Sequence, residues 1–332
     1  MIKELGKKIT KSNLVSVFLL LLILFLIFFS QYSQKTEIRM DAEPENINIE
    51  EQKLYSKDEP MVSAREMENQ EEAKSEEADA QAKEEGIEKE VRRDDLVLGI
   101  IADAHSGQEN GFSRLSSSSW ALKNYFASDA VVDLGDLIES RFHYKSIKKN
   151  AAIEDYKKAS YFISRYFPVY HVIGNHEVLS LSKADIQNLT GRGNYFSVKV
   201  KGYNIIILDS NYNEREKNID AKHADDFIYD GTLPKKQVSW LKSQLKNNAK
   251  NIIFIHHPLN ELTNKGEIRD AVEDNKGRII AIFNGHQHPK VLQTYSFGGV
   301  KAYEIPSGFY QKTYTVVKIN GSQMSVLVRK VN

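Results

Sequence analysis

The chain has 332 residues, a formal net charge of zero at pH 7 and no cysteine, which excludes disulfide bonds, thiolate catalysis and thiolate metal sites. The zero charge hides an asymmetry, because residues 41–95 carry 20 acidic and 8 basic side chains, whereas residues 96–332 carry 23 acidic and 31 basic ones. The resulting charge of +8 on the C-terminal body favours an anionic ligand such as a phosphate ester, and the sequence contains no nucleic-acid-binding signature.

Residues 14–30, LVSVFLLLLILFLIFFS, form an uncharged apolar run. As a helix the run is roughly 26 Å long, which suffices for a short membrane span. Four lysines against one glutamate in residues 1–13 predict a cytoplasmic basic tail, a single-pass signal anchor in the cell membrane and an extracytoplasmic body. The alternative is a protein secreted after signal cleavage, although no A-x-A-like cleavage site follows the run.

Residues 31–95 are acidic and poor in aromatic and aliphatic side chains. Such a segment buries too little apolar surface to offset the entropy lost on folding. We interpret it as an acidic linker or stalk, disordered or helical, since the stretch from Ser63 to Arg93 is rich in good helix formers. An acidic arm that binds a partner is the functional alternative.

From Leu96 onward, short β-rich apolar runs alternate with amphipathic segments, which is typical of a layered α/β domain. Eleven runs predict strands, at 96–103, 130–136, 168–175, 195–200, 203–210, 251–258, 278–285, 290–297, 300–307, 313–319 and 323–330. Three segments predict helices, at 119–127, 151–167 and 234–248. Gly202, between two alternating runs, predicts a hairpin turn. We therefore expect two packed sheets flanked by helices.

Five of the predicted strands end in side chains that bind metals. These are Asp103 and His105 after the first strand, Asp136 after the second, Asn175 and His176 after the third, His256 and His257 after the sixth, and His286 and His288 after the seventh. Ligands collect at the carboxyl ends of strands in α/β sheets, and such polar groups are costly to desolvate without a partner. The pattern predicts a metal centre, and its carboxylate and imidazole ligands suit Mn, Fe, Zn or Mg.

The motifs D-x-H, G-D, G-N-H-[DE], H followed two residues later by proline, and G-H-x-H occur in this order over roughly residues 96–310. In these motifs the chain resembles the calcineurin-like metallophosphoesterase superfamily. The resemblance implies that residues 96–332 form a four-layer α-β-β-α sandwich of two mixed β-sheets flanked by helices. It also implies two divalent metal ions as cofactors.

The resemblance further implies a set of ligands. One ion would be bound by Asp103, His105 and His288, the other by Asn175, His256 and His286, with Asp136 bridging them. His256 is preferred over His257 because the family ligand precedes the proline by two positions. His257 is then either close to the substrate or a structural neighbour.

The mechanism implied by the family is two-metal hydrolysis, in which a hydroxide between the ions attacks phosphorus. His176 would bind the phosphoryl group or protonate the leaving group as a general acid. Glu139 occupies the position where the protein-phosphatase branch keeps an aspartate, so we expect it to position His176. The alternative for Glu139 is a solvated residue at a helix start.

Two departures separate the chain from known branches of the superfamily. Glu139 stands where purple acid phosphatases place an iron-binding tyrosine, and GDLIESR at 135–141 differs from the GDxVDRG of Ser/Thr protein phosphatases. Segments 172–211 and 231–245 look most similar to the branch of ADP-ribose/CDP-alcohol diphosphatases and cyclic-nucleotide phosphodiesterases. Candidate residues for the substrate rim are Tyr212, Asn213, Phe309 and Tyr310.

The expected function is a membrane-anchored phosphohydrolase acting on phosphodiester, phosphomonoester or diphosphate bonds. Its partner would be a phosphorylated small molecule, a nucleotide or an envelope phosphoester. The alternative is a tethered envelope scaffold or binding protein with a vestigial phosphoesterase site, for which a missing ligand would be the marker.

Overall fold

The computed structural model describes residues 95–331 except 109, 143, 144, 147, 220–230, 248 and 322. The predicted cytoplasmic tail at 1–13, the signal anchor at 14–30 and the linker up to residue 94 lie outside the described residues. Within the described residues, no helix is long and apolar enough to cross a membrane.

The strands in the described part of the chain are β1 (Leu96–Ile101), β2 (Ala130–Asp133), β3 (Arg141–Phe142), β4 (Lys145–Ser146), β5 (Val169–His171), β6 (Phe196–Val200), β7 (Tyr203–Ile207), β8 (Lys250–Ile255), β9 (Ile279–Asn284), β10 (Gln293–Phe297), β11 (Val300–Glu304), β12 (Thr313–Asn320) and β13 (Gln323–Lys330). The helices are α1 (Gly111–Asn124), α2 (Lys149–Ser164), α3 (Asn175–Ser180), α4 (Lys183–Thr190), α5 (Lys235–Leu245) and α6 (Lys265–Glu273), and a 3₁₀ turn spans Lys276–Arg278.

Two mixed sheets form the centre of the domain. The first has the order β13-β12-β1-β2-β5 and the second β10-β11-β9-β8-β7-β6. Strands β1, β2 and β5 run parallel, as do β7, β8, β9 and β11, whereas the outer strands pair antiparallel. Parallel strands are normally covered on both faces, and β1 is accordingly buried along its whole length.

Three apolar clusters fill the spaces between neighbouring layers of the domain. Between the sheets, Leu98 and Ile100 of β1 share a core with Phe254 of β8 and Phe283 of β9. The opposite face of β1, including Val97, packs with α1 and α2, and the outer face of the second sheet packs with α5 and α6. The α/β class and the two mixed sheets flanked by helices are thereby confirmed.

All eleven predicted strands are present, although several end earlier than the apolar runs do. The predicted turn at Gly202 is also confirmed, since Lys201 and Gly202 both have positive φ, 46° and 82°, between the antiparallel strands β6 and β7. The β3–β4 hairpin and helices α3, α4 and α6 were not predicted. Helix α1 begins at Gly111, eight residues before the predicted start, because its serine-rich first half lacks a clear amphipathic period.

The strand register aligns the carboxyl ends. In the first sheet Ile101 pairs with Asp133, which pairs with His171, and in the second sheet Ile255 pairs with Asn284. Since these strands are parallel, the residues that follow them emerge along one edge of each sheet.

Candidate metal centre

The nine predicted site residues all follow the carboxyl ends of parallel strands. They are Asp103 and His105 after β1, Asp136 and Glu139 after β2, Asn175 and His176 after β5, His256 after β8, and His286 and His288 after β9. All are buried except His176, His286 and His288, which are partly exposed.

The first cluster consists of Asp103, His105, Asp136 and His288, whose potential ligand atoms all lie within 4.8 Å of one another. His288 Nε2 lies 3.3 Å from His105 Nε2 and 3.3 Å from Asp103 Oδ1. The residues of this cluster are up to 185 positions apart in the sequence, so only the fold brings them together.

The second cluster consists of Asp136, His256 and His286, again with ligand atoms within 4.8 Å. Asn175 completes it, because its Oδ1 lies 2.8 Å from His256 Nε2 and 2.9 Å from His286 Nδ1. Asp136 Oδ2 lies 3.3 Å from His256 Nε2. Asp136 therefore belongs to both clusters.

Strained backbone holds these side chains in place. Five non-glycine residues of the two clusters have positive φ, at Asp103 (50°), His105 (41°), Asp136 (52°), His286 (75°) and His288 (48°). Such left-handed conformations cost on the order of 1–3 kcal/mol each for non-glycine residues and concentrate at functional sites. The sharp turns point side chains from the strand ends toward a common centre.

Glycines of the motifs permit the close packing around the site. Gly135 has a φ of 91°, and a Cβ there would lie 2.8 Å from His256 Nδ1. At Gly285 a Cβ would lie 2.6 Å from Asp103 Oδ2. A side chain at either position would displace a residue of the two clusters.

The polar atoms of the two clusters fit a bound cation. Asp103 Oδ2 is buried and has no hydrogen-bond partner in the described chain, although an unpaired buried carboxylate oxygen is costly. His256 Nδ1 donates to Leu134 O at 2.9 Å, which in a neutral ring leaves a lone pair on Nε2. That lone pair faces Asn175 Oδ1, and His286 Nδ1 lies 3.2 Å from the same His256 nitrogen. A divalent cation bound between these acceptor atoms would accept their lone pairs and remove the repulsion between them.

Charge within the site follows the same arrangement. Burial opposes ionisation, but the charges of His256 and His176 hold the pKa of Asp136 well below its usual value. Burial lowers the pKa of His256, yet Asp136 and Asp103 raise it to about 10, whereas burial and the charge of His256 lower the pKa of His286 to about 4. The buried carboxylates therefore favour a nearby positive charge, which the protonated His256 ring supplies by itself and which a bound divalent cation would supply with His256 neutral.

Glu139 lies between two histidines. Its Oε1 accepts a hydrogen bond from His176 Nδ1 at 2.8 Å, and its Oε2 lies 3.2 Å from His105 Nδ1. Burial raises the pKa of Glu139, but the contacts with His105 and His176 hold it far below its usual value. The carboxylate is therefore ionised and largely buried, not solvated.

His176 is held at two points. Its backbone N–H donates to Asp136 Oδ1 at 2.8 Å, and its ring donates through Nδ1 to Glu139. Burial lowers the pKa of His176, but Asp136 and Glu139 raise it to about 9. The side chain is 18% exposed, so the ring borders the cluster and remains accessible from solvent.

Two residues with structural roles in the site were missed from the sequence. Glu177 is fully buried, and its carboxylate accepts the backbone N–H groups of Asp136, Ile138 and Gly174 at 2.9, 3.2 and 2.8 Å. Gln108 donates to Glu139 Oε2 at 2.6 Å. The fourth position of the G-N-H-[DE] motif could have indicated Glu177, whereas no sequence signal points to Gln108.

The candidates for the substrate rim have different surroundings. His257 is buried, lies 2.7 Å from Ser210 Oγ through Nδ1 and packs its ring 4.3 Å from that of His286. The ring of Tyr212 lies under Lys183 Nζ at 3.2 Å, and Asn213 Oδ1 accepts two backbone N–H groups of its own turn. Phe309 and Tyr310 lie against the histidines of the first cluster.

A sequence model of calcineurin-like phosphoesterases matches residues 96–290, which is more than half of the chain and includes the nine predicted site residues. Among curated proteins, no sequence is significantly similar to this one.

Solved structures with a similar fold include the phosphopantetheinyl hydrolase PptH from Mycobacterium tuberculosis, with 15% identity, a TM-score of 0.41, and coverage of 64% of this chain and 90% of that one. GAP50, the anchor in the inner membrane complex of Plasmodium, shares 15% identity with a TM-score of 0.47 over 72% and 89% of the two chains. The NAD nucleotidase NadN of Haemophilus influenzae shares 16% identity with a TM-score of 0.40 over 70% and 49%.

Proposed function

The chain belongs to the calcineurin-like phosphoesterase family, and from this premise we propose that it hydrolyses phosphoester or diphosphate bonds with two divalent metal ions. The observation that carries the proposal is that two clusters of carboxylate, imidazole and amide ligands share Asp136. The shared carboxylate suits a pair of ions at the separation of about 3.5–4 Å that is usual for two-metal phosphoesterases.

In the proposed assignment, Asp103, His105 and His288 would hold one ion, Asn175, His256 and His286 would hold the other, and Asp136 would be shared by both. Nitrogen and oxygen ligands without sulfur suit Mn, Fe, Zn or Mg. When bound, the ions would supply Lewis acidity toward the phosphoryl oxygens and lower the pKa of a water to near neutrality.

His176 is the proposed phosphate-binding and general acid residue. Its Nδ1 is engaged by Glu139, so Nε2 is the nitrogen that remains for a phosphoryl or leaving-group oxygen. The negative charges of Asp136 and Glu139 favour the protonated ring, which can donate a proton to a departing oxygen. Glu139 acts as a positioning residue, since it touches His176 and not the reacting atoms.

Replacing Glu139 by glutamine is expected to lower kcat by about 10- to 100-fold, because Gln loses the charge that orients and protonates His176. Without that charge the pKa of His176 falls, so the alkaline limb of the pH–rate profile moves to lower pH. The measurement is kcat against pH for Glu139→Gln at saturating metal. Glu154→Gln, an exposed substitution on α2, is the matched control. An unchanged profile for Glu139→Gln would refute this role.

The substrate class is tested with a panel on the Mn-loaded protein, comprising bis-p-nitrophenyl phosphate, p-nitrophenyl phosphate, ADP-ribose, CDP-choline and cAMP. Turnover of at least one substrate is expected to fall by at least about 100-fold after chelation and to return when Mn is restored. The pattern of turnover assigns the activity as diesterase, monoesterase or diphosphatase. A metal-loaded chain that hydrolyses none of them would contradict the proposed function.

We also propose that residues 14–30 anchor the protein in the cell membrane, with the catalytic domain extracytoplasmic. The support is the length of the apolar run and the four lysines that precede it. An extracytoplasmic site favours extracellular nucleotides or envelope phosphoesters as substrates. A chain that alkaline carbonate extracts from membranes, or whose mature N-terminus follows residue 30, would support the secreted alternative.

A further inference from the structure

Two consecutive aromatic residues cover one side of the first cluster. Phe309 and Tyr310 lie in the loop between β11 and β12. The ring of Tyr310 lies 4.8 Å from that of His288, at an interplanar angle of 35°, and 5.8 Å from that of His105. The ring of Phe309 lies 6.1 Å from that of His105 and 5.0 Å from that of Tyr310. The pair therefore lies directly beside two proposed metal ligands.

The loop that carries these rings is tied to the segment that carries Asp103. Buried Ser307 donates through Oγ to Asp103 O at 2.8 Å and accepts the backbone N–H groups of Phe309 and Tyr310 at 3.1 Å each. Gly308 N donates to Ala102 O at 2.7 Å. Because the same backbone segment supports the ligand and the aromatic loop, Tyr310 has a defined position relative to the metal centre.

Phe309 is supported from the side of α1. The guanidinium carbon of Arg114 lies 4.7 Å from the centroid of the Phe309 ring, a cation–π distance. Phe309 in turn meets Tyr310 edge to face, at 88°. The two rings form a stacking platform, by which we mean Phe309 and Tyr310 together, with Phe309 fixed between His105 and Arg114.

Tyr310 remains 55% exposed despite its contact with His288. In the described part of the chain the exposed large hydrophobic residues are Tyr161, Val291 and Tyr310. Of these, Tyr310 contacts the ring of His288. Val291 comes three residues after His288. A single exposed aromatic is ordinary on a protein surface, but a half-exposed ring beside a proposed metal ligand offers a ring-sized contact to a group bound at the centre.

We propose that Tyr310 determines specificity by stacking on a planar ring, aryl or nucleobase, carried by the group attached to the substrate phosphorus. The inference rests on the proposed phosphoesterase function and names the substrate class of that site as ring-bearing phosphodiesters. A flat ring presents its face to the Tyr310 ring, whereas a saturated ring or a methyl group cannot stack.

The test uses four diesters that share p-nitrophenolate as the leaving group and carry methyl, cyclohexyl, phenyl or thymidine 5′ as the second group. Because the leaving group is shared, the same bond breaks in all four diesters. A difference between a variant and the native chain therefore reports the effect of the second group on kcat/KM. Tyr310→Ala is expected to reduce the ratio of kcat/KM for the phenyl over the cyclohexyl diester by about tenfold. The ratio of kcat/KM for the thymidine over the methyl diester is expected to fall to a similar extent.

Two variants serve as controls. Tyr310→Phe keeps the ring and is expected to keep both ratios. Tyr161→Ala removes a tyrosine that is 61% exposed in the last turn of α2, and it is expected to leave all four rates unchanged. Calorimetric titration with thymidine 5′-monophosphate and methyl phosphate gives a readout apart from turnover. Tyr310→Ala is expected to weaken the binding of thymidine 5′-monophosphate about tenfold more than the binding of methyl phosphate.

The outcomes separate the inference from the function on which it rests. Native protein that hydrolyses the diesters while Tyr310→Ala leaves both ratios unchanged overturns the role of Tyr310 and leaves the phosphoesterase intact. An equal loss for cyclohexyl and phenyl also overturns it, because that result reports apolar contact without stacking. Native metal-loaded protein that hydrolyses none of the diesters and none of the wider panel overturns both.

Discussion

Asp136→Asn is expected to reduce the bound metal to less than one ion per chain and to lower kcat/KM by at least about 1000-fold. Asp136 is the residue common to both clusters, and its Oδ2 lies 3.3 Å from His256 Nε2. The amide removes a negative charge from both proposed ions at once. It keeps an Oδ1 that accepts the His176 backbone N–H, so the position of His176 is retained. Because the charge of Asp136 also favours the protonated His176 ring, the bound metal content, more than the rate, reports on the bridging role.

Metal content is measured by mass spectrometry after dialysis, and kcat/KM with the best substrate of the panel. The matched control is Asp129→Asn, because Asp129 directly precedes β2 at the amino-terminal end of the strand, away from the two clusters. Asp129 there accepts from Val97 N at 2.8 Å and pairs with Lys201 at 2.7 Å. This control is expected to keep both ions. Two tightly bound ions and activity within tenfold of native in Asp136→Asn would contradict the bridging role.

His286→Ala and His288→Ala are expected to empty different ion sites, each leaving about one ion per chain, and each to lower kcat by at least about 100-fold. The residues are two positions apart, yet their partners differ. His286 lies near Asn175 and His256, whereas His288 Nε2 lies 3.3 Å from both Asp103 and His105. The rate loss follows because a two-metal reaction needs both ions.

Anomalous scattering from Mn-soaked crystals of the two variants locates the remaining ion. In His286→Ala it is expected beside Asp103 and His105, and in His288→Ala beside Asn175 and His256. Gln287→Ala is the control between the two positions, since Gln287 donates to Glu261 at 2.6 Å, away from the clusters. The same ion position retained in both histidine variants would refute the separate assignment.

The strands were predictable because their signal is local. A run of apolar residues four to eight long, such as the one that becomes β8, needs burial on both faces wherever it lies in the chain. Helices α3 and α4 were missed because each is short and directly follows a strand or another helix. Their stability comes from capping and packing, as with Ser182, whose side chain accepts from Asp185 N at the start of α4.

The candidate ligands were predictable for a related reason. Asp, Asn and His at the ends of apolar strands are too costly to bury without a partner, so their presence indicates a site from sequence alone. Their grouping is a different matter. The resemblance to the family already implied that His286 and His288 serve different ions, but no local pattern explains how two near neighbours meet different partners. In the structure the turn after β9, where both residues have positive φ, directs them apart.

The sequence by itself determined eleven of the thirteen strands in the described residues and the candidate ligands at the strand ends, since both depend on short-range pattern, and its motifs indicated the class of chemistry through their resemblance to a known family. The tertiary structure alone decided that Glu139 lies between His176 and His105, that Glu177 holds the backbone around Asp136, and that Tyr310 lies on His288. Those contacts join residues from separate loops. The physical reason is that their distances are set by strand register and by the packing of the two sheets, and no local property of the chain encodes them.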